Sequence, residues 1–451
     1  MRAERWYRAV WRWHFYAGLF CVPFVLWLSV TGGLYLFKPQ IEGALYAPYR
    51  DVANGPVLPP AAIAARAVAA VPGSVLHKYV LPESPADSVQ VLVGQGSEEV
   101  RVWVHPQTGA VLYQVPEEDR LMRVVFRLHG ELLAGATGSA LVETAACWTI
   151  VMLLTGLFLW WPRGAGRLAG VLYPRIGRGR AAFWRDIHAV TGLWISLGAL
   201  FLIASGLPWA NAWGDYFREV RAITGTAAGR QDWSAGSAAE AATRARADAG
   251  MRAMMSEHAE HDGMPMDHMA PAASSLDAVV ASAGALHFAA PVEVSPPASD
   301  GTAWQVRSQT ENRPRRDSAE IAGDGSLVGM QRFADRHWID RAVGYGVAVH
   351  EGAWAGLANQ FVNLAVLLGL VMMCVSSIVL WWRRRPATML GAPLAMGRLQ
   401  HSWGLVATVV ALALAMPLFG LSLGMALVLE TAIKRMSPRI RQWMGWRAAI
   451  D

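Results

Sequence analysis

The chain has 451 residues, 54% of them hydrophobic and 16% charged, with a mean hydropathy of +0.26 and a net charge of +6. That is too apolar for an ordinary soluble protein and too charged for membrane helices alone, so membrane spans joined to aqueous domains are expected. The excess of cations falls in short loops beside the apolar stretches, which accounts for it without a nucleic-acid partner.

Five stretches approach the roughly 20 apolar residues that a bilayer crossing needs. Residues 1–37 hold a cytoplasmic N-terminus and the first span, about Phe15 to Phe37, within "WRWHFYAGLFCVPFVLWLSVTGGLYLF". It is longer than a signal-peptide core and no small-residue cleavage site follows, so it reads as a retained anchor. Residues 38–128 form a first outer domain. An alanine-rich helix, "LPPAAIAARAVAAVPG", stops at Pro-Gly, and the alternating runs "SVLHKYVL", "DSVQVLVG", "EEVRVWVHP" and "GAVLYQV" read as antiparallel strands. Residues 129–210 carry the second and third spans, Ser139 to Trp161 and Ile187 to Trp209, around a basic loop.

Residues 211–273 are of another character and include "MRAMMSEHAEHDGMPMDHM", a Met/His-rich insertion. Thioether sulfur suits Cu(I) and imidazole suits Cu(II) or Zn(II), so Met254, Met255, His258, His261, Met264, Met266, His268 and Met269 are candidate metal ligands. The competing reading is a linker of biased composition. Residues 274–349 repeat the helix-plus-sheet theme, with "SSLDAVVASAGALHF" as helix and "TAWQVRSQT", "RRDSAEIAG" and "GSLVGMQRF" as strands. Residues 350–430 hold the fourth and fifth spans, Phe361 to Trp382 and Ser402 to Leu429, and residues 431–451 form a basic tail. Pro417 lies inside the fifth stretch, which is either kinked or broken and returning.

Arginines precede the first span and fill the loops between spans two and three and spans four and five, which puts the N-terminus in the cytoplasm and the large loops outside. The three cysteines lie in three different spans, so no disulfide framework is expected, and no C-x-x-C-H is present for covalent haem. The order span, helix-plus-sheet, span occurs twice. "RLHGELLAGATG" before "LFLWWPR" matches "AVHEGAWAGLAN" before "IVLWWRRR", and His129 lies as far from Trp160 as His350 does from Trp381. The fold class expected is a mainly α membrane protein with α+β outer domains, built by internal duplication around a helical bundle of about five spans.

Five histidines sit at or near span ends: His14, His129, His188, His350 and His401. Any one alone is equally well explained as an interfacial side chain. Jointly, His14 and His188 open equivalent spans on the inner side, while His129 and His350 precede equivalent spans on the outer side. Two such pairs suit two bis-histidine b-type haems at two depths. Gly18, Gly32, Gly33, Gly192, Gly198 and Gly206 would let helices approach a macrocycle, or simply each other. Arg12 and Arg185 are placed to neutralise propionates, although the positive-inside bias already explains them.

The segments "WRWHFYAGLF", "SVTGGLYLF", "RLHGELLAG", "LLTGLFLWWPR", "WRDIHAVTGLW" and "AVHEGAWAG" resemble the PepSY-associated transmembrane family, and the outer domains look like PepSY domains. The resemblance implies a dihaem reductase of the bacterial inner membrane, similar to those that reduce ferric siderophores. It implies two non-covalent haem b groups, the inner one held by His14 and His188 and the outer by His129 and His350, with His401 a substitute for either inner ligand. The implied partners are the lipid bilayer, a periplasmic metal chelate or metal carrier, and a quinol or flavin donor. The Met/His insertion departs from that pattern and raises copper as cofactor or substrate. "RGAGRLAG" follows a membrane helix rather than a strand, which argues against a dinucleotide site. Two other classes compete. One is a membrane-anchored periplasmic metal- or peptide-binding protein without redox activity, since isolated PepSY domains are associated with protease inhibition. The other is a metal permease, weakened by the scarcity of polar residues in the spans beyond Glu143 and Asn363.

Overall fold

The computed structural model describes residues 2–162, 168–227, 240–246, 248–252, 273–297, 302–394, 402–435 and 438–446. The chain divides into two compact units. One comprises Met1–Leu34, Leu128–Val220 and Phe361–Asp451; the other comprises Tyr35–Arg127 and Arg221–Gln360.

The first unit is helical. Its long helices are α1 (Arg2–Leu36), α5 (Gly135–Trp160), α6 (Gly179–Gly206) and α10 (Leu357–Arg384). Each supplies a stretch long and apolar enough to cross a bilayer. Large apolar side chains such as Trp194, Leu197, Phe361 and Val362 remain exposed on them, as lipid contact requires. The duplicated tryptophan pairs behave alike. Trp160 Nε1 donates to Val171 O at 3.0 Å and Trp381 Nε1 to Leu390 O at 2.8 Å, so each span end is tied to the loop that follows it.

The fifth apolar stretch is broken. Met416 leaves helical geometry (φ −136, ψ 86) between α11 (Trp403–Ala415) and α12 (Pro417–Arg435), with proline opening the second helix where its missing N–H does no harm. Ala415 O and Leu414 O accept from Trp213 and Tyr216 of α7 (Asn211–Ile223), beyond the C-terminal end of α6. At the other end, Met444 O accepts from Arg12 and Tyr16, and Leu390 N donates to Trp443 O, just past α13 (Pro438–Trp443). The break therefore turns α12 back toward the arginine-bearing end of the bundle. The described part of the tail thus lies beside Arg12 of the N-terminal arginine cluster, as the positive-inside bias favours.

The second unit is built on one sheet. Helices α2 (Lys38–Leu45) and α3 (Pro60–Ala70) precede strands β1 (Val75–Leu81), β2 (Val89–Gln95), β3 (Glu98–Val104) and β4 (Val111–Pro116), followed by α4 (Leu121–Glu131). The second half gives α8 (Ala273–Ala285), β5 (Val292–Ser295), β6 (Trp304–Ser308), β7 (Ser318–Ile321), β8 (Leu327–Gln331) and α9 (Trp338–His350). The eight strands form a single antiparallel sheet in the order β4-β3-β2-β1-β5-β6-β7-β8. The two helix-plus-sheet segments thus share one sheet, joined where Tyr79 pairs with Val294 and Leu81 with Val292. Alternation places Val91, Val93, Val102, Val294 and Val306 on the face that packs in one core with Ile63 and Ala67 of α3 and Leu276 and Val279 of α8. Strand β5 is absent from the expected strands. It is only four residues long and is flanked by Pro291, Pro296 and Pro297.

Candidate functional site

Within the helical unit the duplication brings two histidines together. The rings of His14 on α1 and His188 on α6 have centroids 6.4 Å apart and planes at 82°. Both are largely enclosed, and each is gripped at Nδ1 by a hydroxyl from a further helix. Thr155 Oγ1 of α5 lies 3.0 Å from His14 Nδ1, and Ser376 Oγ of α10 lies 3.1 Å from His188 Nδ1. Thr155 stands as far from His129 as Ser376 does from His350, so the two hydroxyls are repeat equivalents.

The surroundings repeat as well. One turn along from each histidine, a glycine faces a methionine: a Cβ on Gly18 would lie 3.7 Å from Met152 Sδ, and one on Gly192 would lie 3.6 Å from Met373 Sδ. Gly156 makes room for the first ring, since a Cβ there would approach His14 Cε1 to 3.2 Å. Not every glycine singled out by sequence serves the site. Gly198 lets Val366 approach, to 2.7 Å from its missing Cβ, which is ordinary close helix packing.

His129 sits near the C-terminal end of α4 against α1. Its Nδ1 is 3.0 Å from Thr31 Oγ1, and a Cβ on Gly32 would come within 3.0 Å of its Cε1. Trp27 Nε1 donates to Leu128 O at 3.0 Å and fixes this corner. A Thr-Gly pair thus cradles His129 as Thr155-Gly156 cradles His14. His350 is the last residue of α9 and belongs to the sheet unit, where Asn359 Nδ2 holds the neighbouring Val349 O at 2.9 Å. His401 and the Met/His set (Met254, Met255, His258, His261, Met264, Met266, His268, Met269) lie outside the described residues.

The arginines beside the inner pair are already engaged. Arg12 is buried, donates to Pro393 O, Met444 O and Gly445 O, and lies over the rings of Tyr16 and Trp446 at 5.0 and 4.3 Å. Arg185 and Arg175 both bind the fully buried Asp186, two residues before His188. These contacts brace the tail and the α6 N-terminus.

One buried histidine escaped the sequence reading. His77 is the extra residue of a β1 bulge between Leu76 and Lys78. Its Nδ1 is 3.1 Å from Glu99 Oε1 and its Nε2 is 3.4 Å from Asp248 Oδ1. A Cβ on Gly94 would fall 2.1 Å from its Cε1, so only glycine fits opposite. Burial alone would raise both carboxyls. For Glu99, Lys78 and His77 reverse this, and for Asp248, Arg252, the Gly96 N–H and His77 do so, leaving both below the usual carboxylate range.

Two imidazoles from facing helices can ligate one metal ion on opposite sides. With metal–nitrogen bonds of about 2 Å and a ring radius of about 1 Å on each side, the centroids would be about 6 Å apart. The observed separation is of that size. Among the described residues no group of three or more His, Cys, Asp or Glu is placed to hold a metal ion.

The PepSY-associated TM region family model matches residues 11–384. The chain belongs to this family. The match runs from just before His14 to the end of α10 and so takes in both copies of the duplication, consistent with a multi-pass membrane protein. No curated protein matches the sequence.

Proposed function

We propose that this PepSY-associated membrane protein is a dihaem b-type transmembrane electron-transfer protein of the bacterial inner membrane. Its electrons would come from the cytoplasmic side or the quinol pool, through a quinol or flavin donor. Its outer-side substrate would be a metal complex, a ferric siderophore first and copper second. One observation carries the reading: two half-buried imidazoles from duplicated helices lie with ring centroids 6.4 Å apart, and among the described residues no group of three or more His, Cys, Asp or Glu is placed to hold a metal ion. A haem, which would need only two ligands from the protein, fits this pair of imidazoles, and His14 and His188 would hold it.

His14 and His188 would hold the inner haem, while His129 and its repeat partner His350 are assigned to the outer one by sequence equivalence. Bound haem supplies one-electron chemistry at a potential set by its axial ligands and burial. The chain's own part is to fix ring orientation through Thr155 and Ser376, to exclude water within the helix bundle, and to offer soft Met152 and Met373 side chains beside the pair. At the substrate, Fe(III) gains one electron and becomes Fe(II), which binds hard oxygen ligands less strongly and so releases from the chelate. The Met/His-rich insertion would serve a copper substrate or a copper-handling partner.

An absorbance spectrum of the purified protein tests the reading. Soret and α bands that sharpen on adding dithionite support it. A colourless protein would overturn it in favour of a membrane-anchored binder of metal or peptide.

A further inference from the structure

The hydroxyls beneath the imidazoles determine which ring nitrogen is open to a metal. A hydroxyl has one proton to donate. Thr155 Oγ1 directs its proton to the helix behind it, toward Val151 O at 2.8 Å and Met152 O at 3.1 Å. The Ser376 hydroxyl donates to Met373 O at 3.0 Å, and that of Thr31 donates to Trp27 O at 2.9 Å. Ser205, the repeat equivalent of Thr31, back-bonds in the same way to Phe201 O at 2.7 Å.

With the proton committed to a carbonyl, each oxygen has only lone pairs left for its histidine. The ring must then be the donor, through Nδ1–H, across 3.0 Å for His14, 3.1 Å for His188 and 3.0 Å for His129. The backbone carbonyls of Met152 and Met373, which cannot donate, also face the first two rings. A neutral imidazole protonated on Nδ1 keeps its lone pair on Nε2.

We infer that Thr155, Ser376 and Thr31 are positioning residues that lock His14, His188 and His129 in the Nδ1–H tautomer and present Nε2 as the metal ligand. Donation from Nδ1–H also makes Nε2 more basic, which favours the oxidised metal. The inference rests on the haem reading for the identity of the metal, but the tautomer does not depend on it.

The test uses the full-length protein with Thr155→Val, Thr155→Ser, Ser376→Ala and Ser376→Thr. Thr155→Val and Ser376→Ala should weaken haem retention about 10-fold or more and raise the midpoint potential of one haem. Thr155→Ser and Ser376→Thr should restore both. Wild-type potential and retention in Thr155→Val and Ser376→Ala would overturn the inference, as would a Thr155→Ser no better than Thr155→Val. Should the wild type carry no haem, the haem reading fails separately. Nitrogen-15 NMR of histidine-labelled protein then decides the tautomer alone: protonated Nδ1 on His14 and His188 upholds it, and protonated Nε2 refutes it.

Discussion

Histidine is enclosed in two contrasting ways in this molecule, fully buried at His77 and half-buried at His14 and His188. In the sheet unit His77 has a carboxylate at each ring nitrogen, Glu99 at 3.1 Å and Asp248 at 3.4 Å, so both of its polar atoms are engaged. In the helical unit the Nδ1 atoms of His14 and His188 meet neutral hydroxyls, Thr155 at 3.0 Å and Ser376 at 3.1 Å. A ring with a polar partner at both nitrogens has no lone pair to offer a metal, whereas a hydroxyl at Nδ1 fixes the ring and leaves Nε2 to point elsewhere. Enclosure alone therefore does not separate the two settings; the polar partners of each ring do.

The largest effect should come from the ligand side of this contrast. His14→Ala or His188→Ala should remove about one of two haem equivalents, read as the Soret absorbance per protein, while the sheet unit keeps its thermal stability. Loss of both haems, or of neither, would break the pairing. Next in size, His77→Leu should leave the haem spectrum unchanged but destabilise the sheet unit by about 3 kcal/mol, because two buried carboxylates lose their shared partner. A spectral change in His77→Leu would erase the distinction between the two sites.

A smaller effect is expected at Glu117, where Arg101 and Arg120 both bind the carboxylate at 2.8 Å. Burial would raise this carboxyl, but the two guanidinium groups hold it down at about 2. Its folded value is depressed, so its contribution to stability is fully present above the ordinary carboxylate value of about 4.3 and is lost as pH falls toward about 2. Glu117→Gln should cost about 2 kcal/mol at neutral pH and flatten the melting-temperature profile across that acid window. The smallest effect should come from Arg252→Ala. Its side chain is partly exposed beside Asp248, and the loss should stay below about 1 kcal/mol in the same melting assay.

Much of this was legible in the chain. Hydropathy marks the four long helices, because a bilayer crossing demands an unbroken apolar run. The repeat marks His14 with His188, because equal spacing in two copies is improbable by accident. Pro417 marks the break in the fifth stretch, but only the contacts of Met444 and Trp443 reveal that the chain turns back. The fusion of eight strands into one sheet could not be read, since the pairing of β1 with β5 joins residues far apart in sequence through a very short strand. Thr155 and Ser376 were not singled out as partners of the histidines. Their signal was available in the equal distances from His129 to Thr155 and from His350 to Ser376. His77 left no such trace, as a lone histidine in a strand looks the same whether it is exposed or caged.

The β1–β5 seam has a consequence for how such a protein can be divided or remodelled. A half expressed by itself would end in a naked strand whose backbone groups invite promiscuous pairing and precipitation. Two halves made as separate polypeptides should instead seek each other through that edge and reconstitute one object.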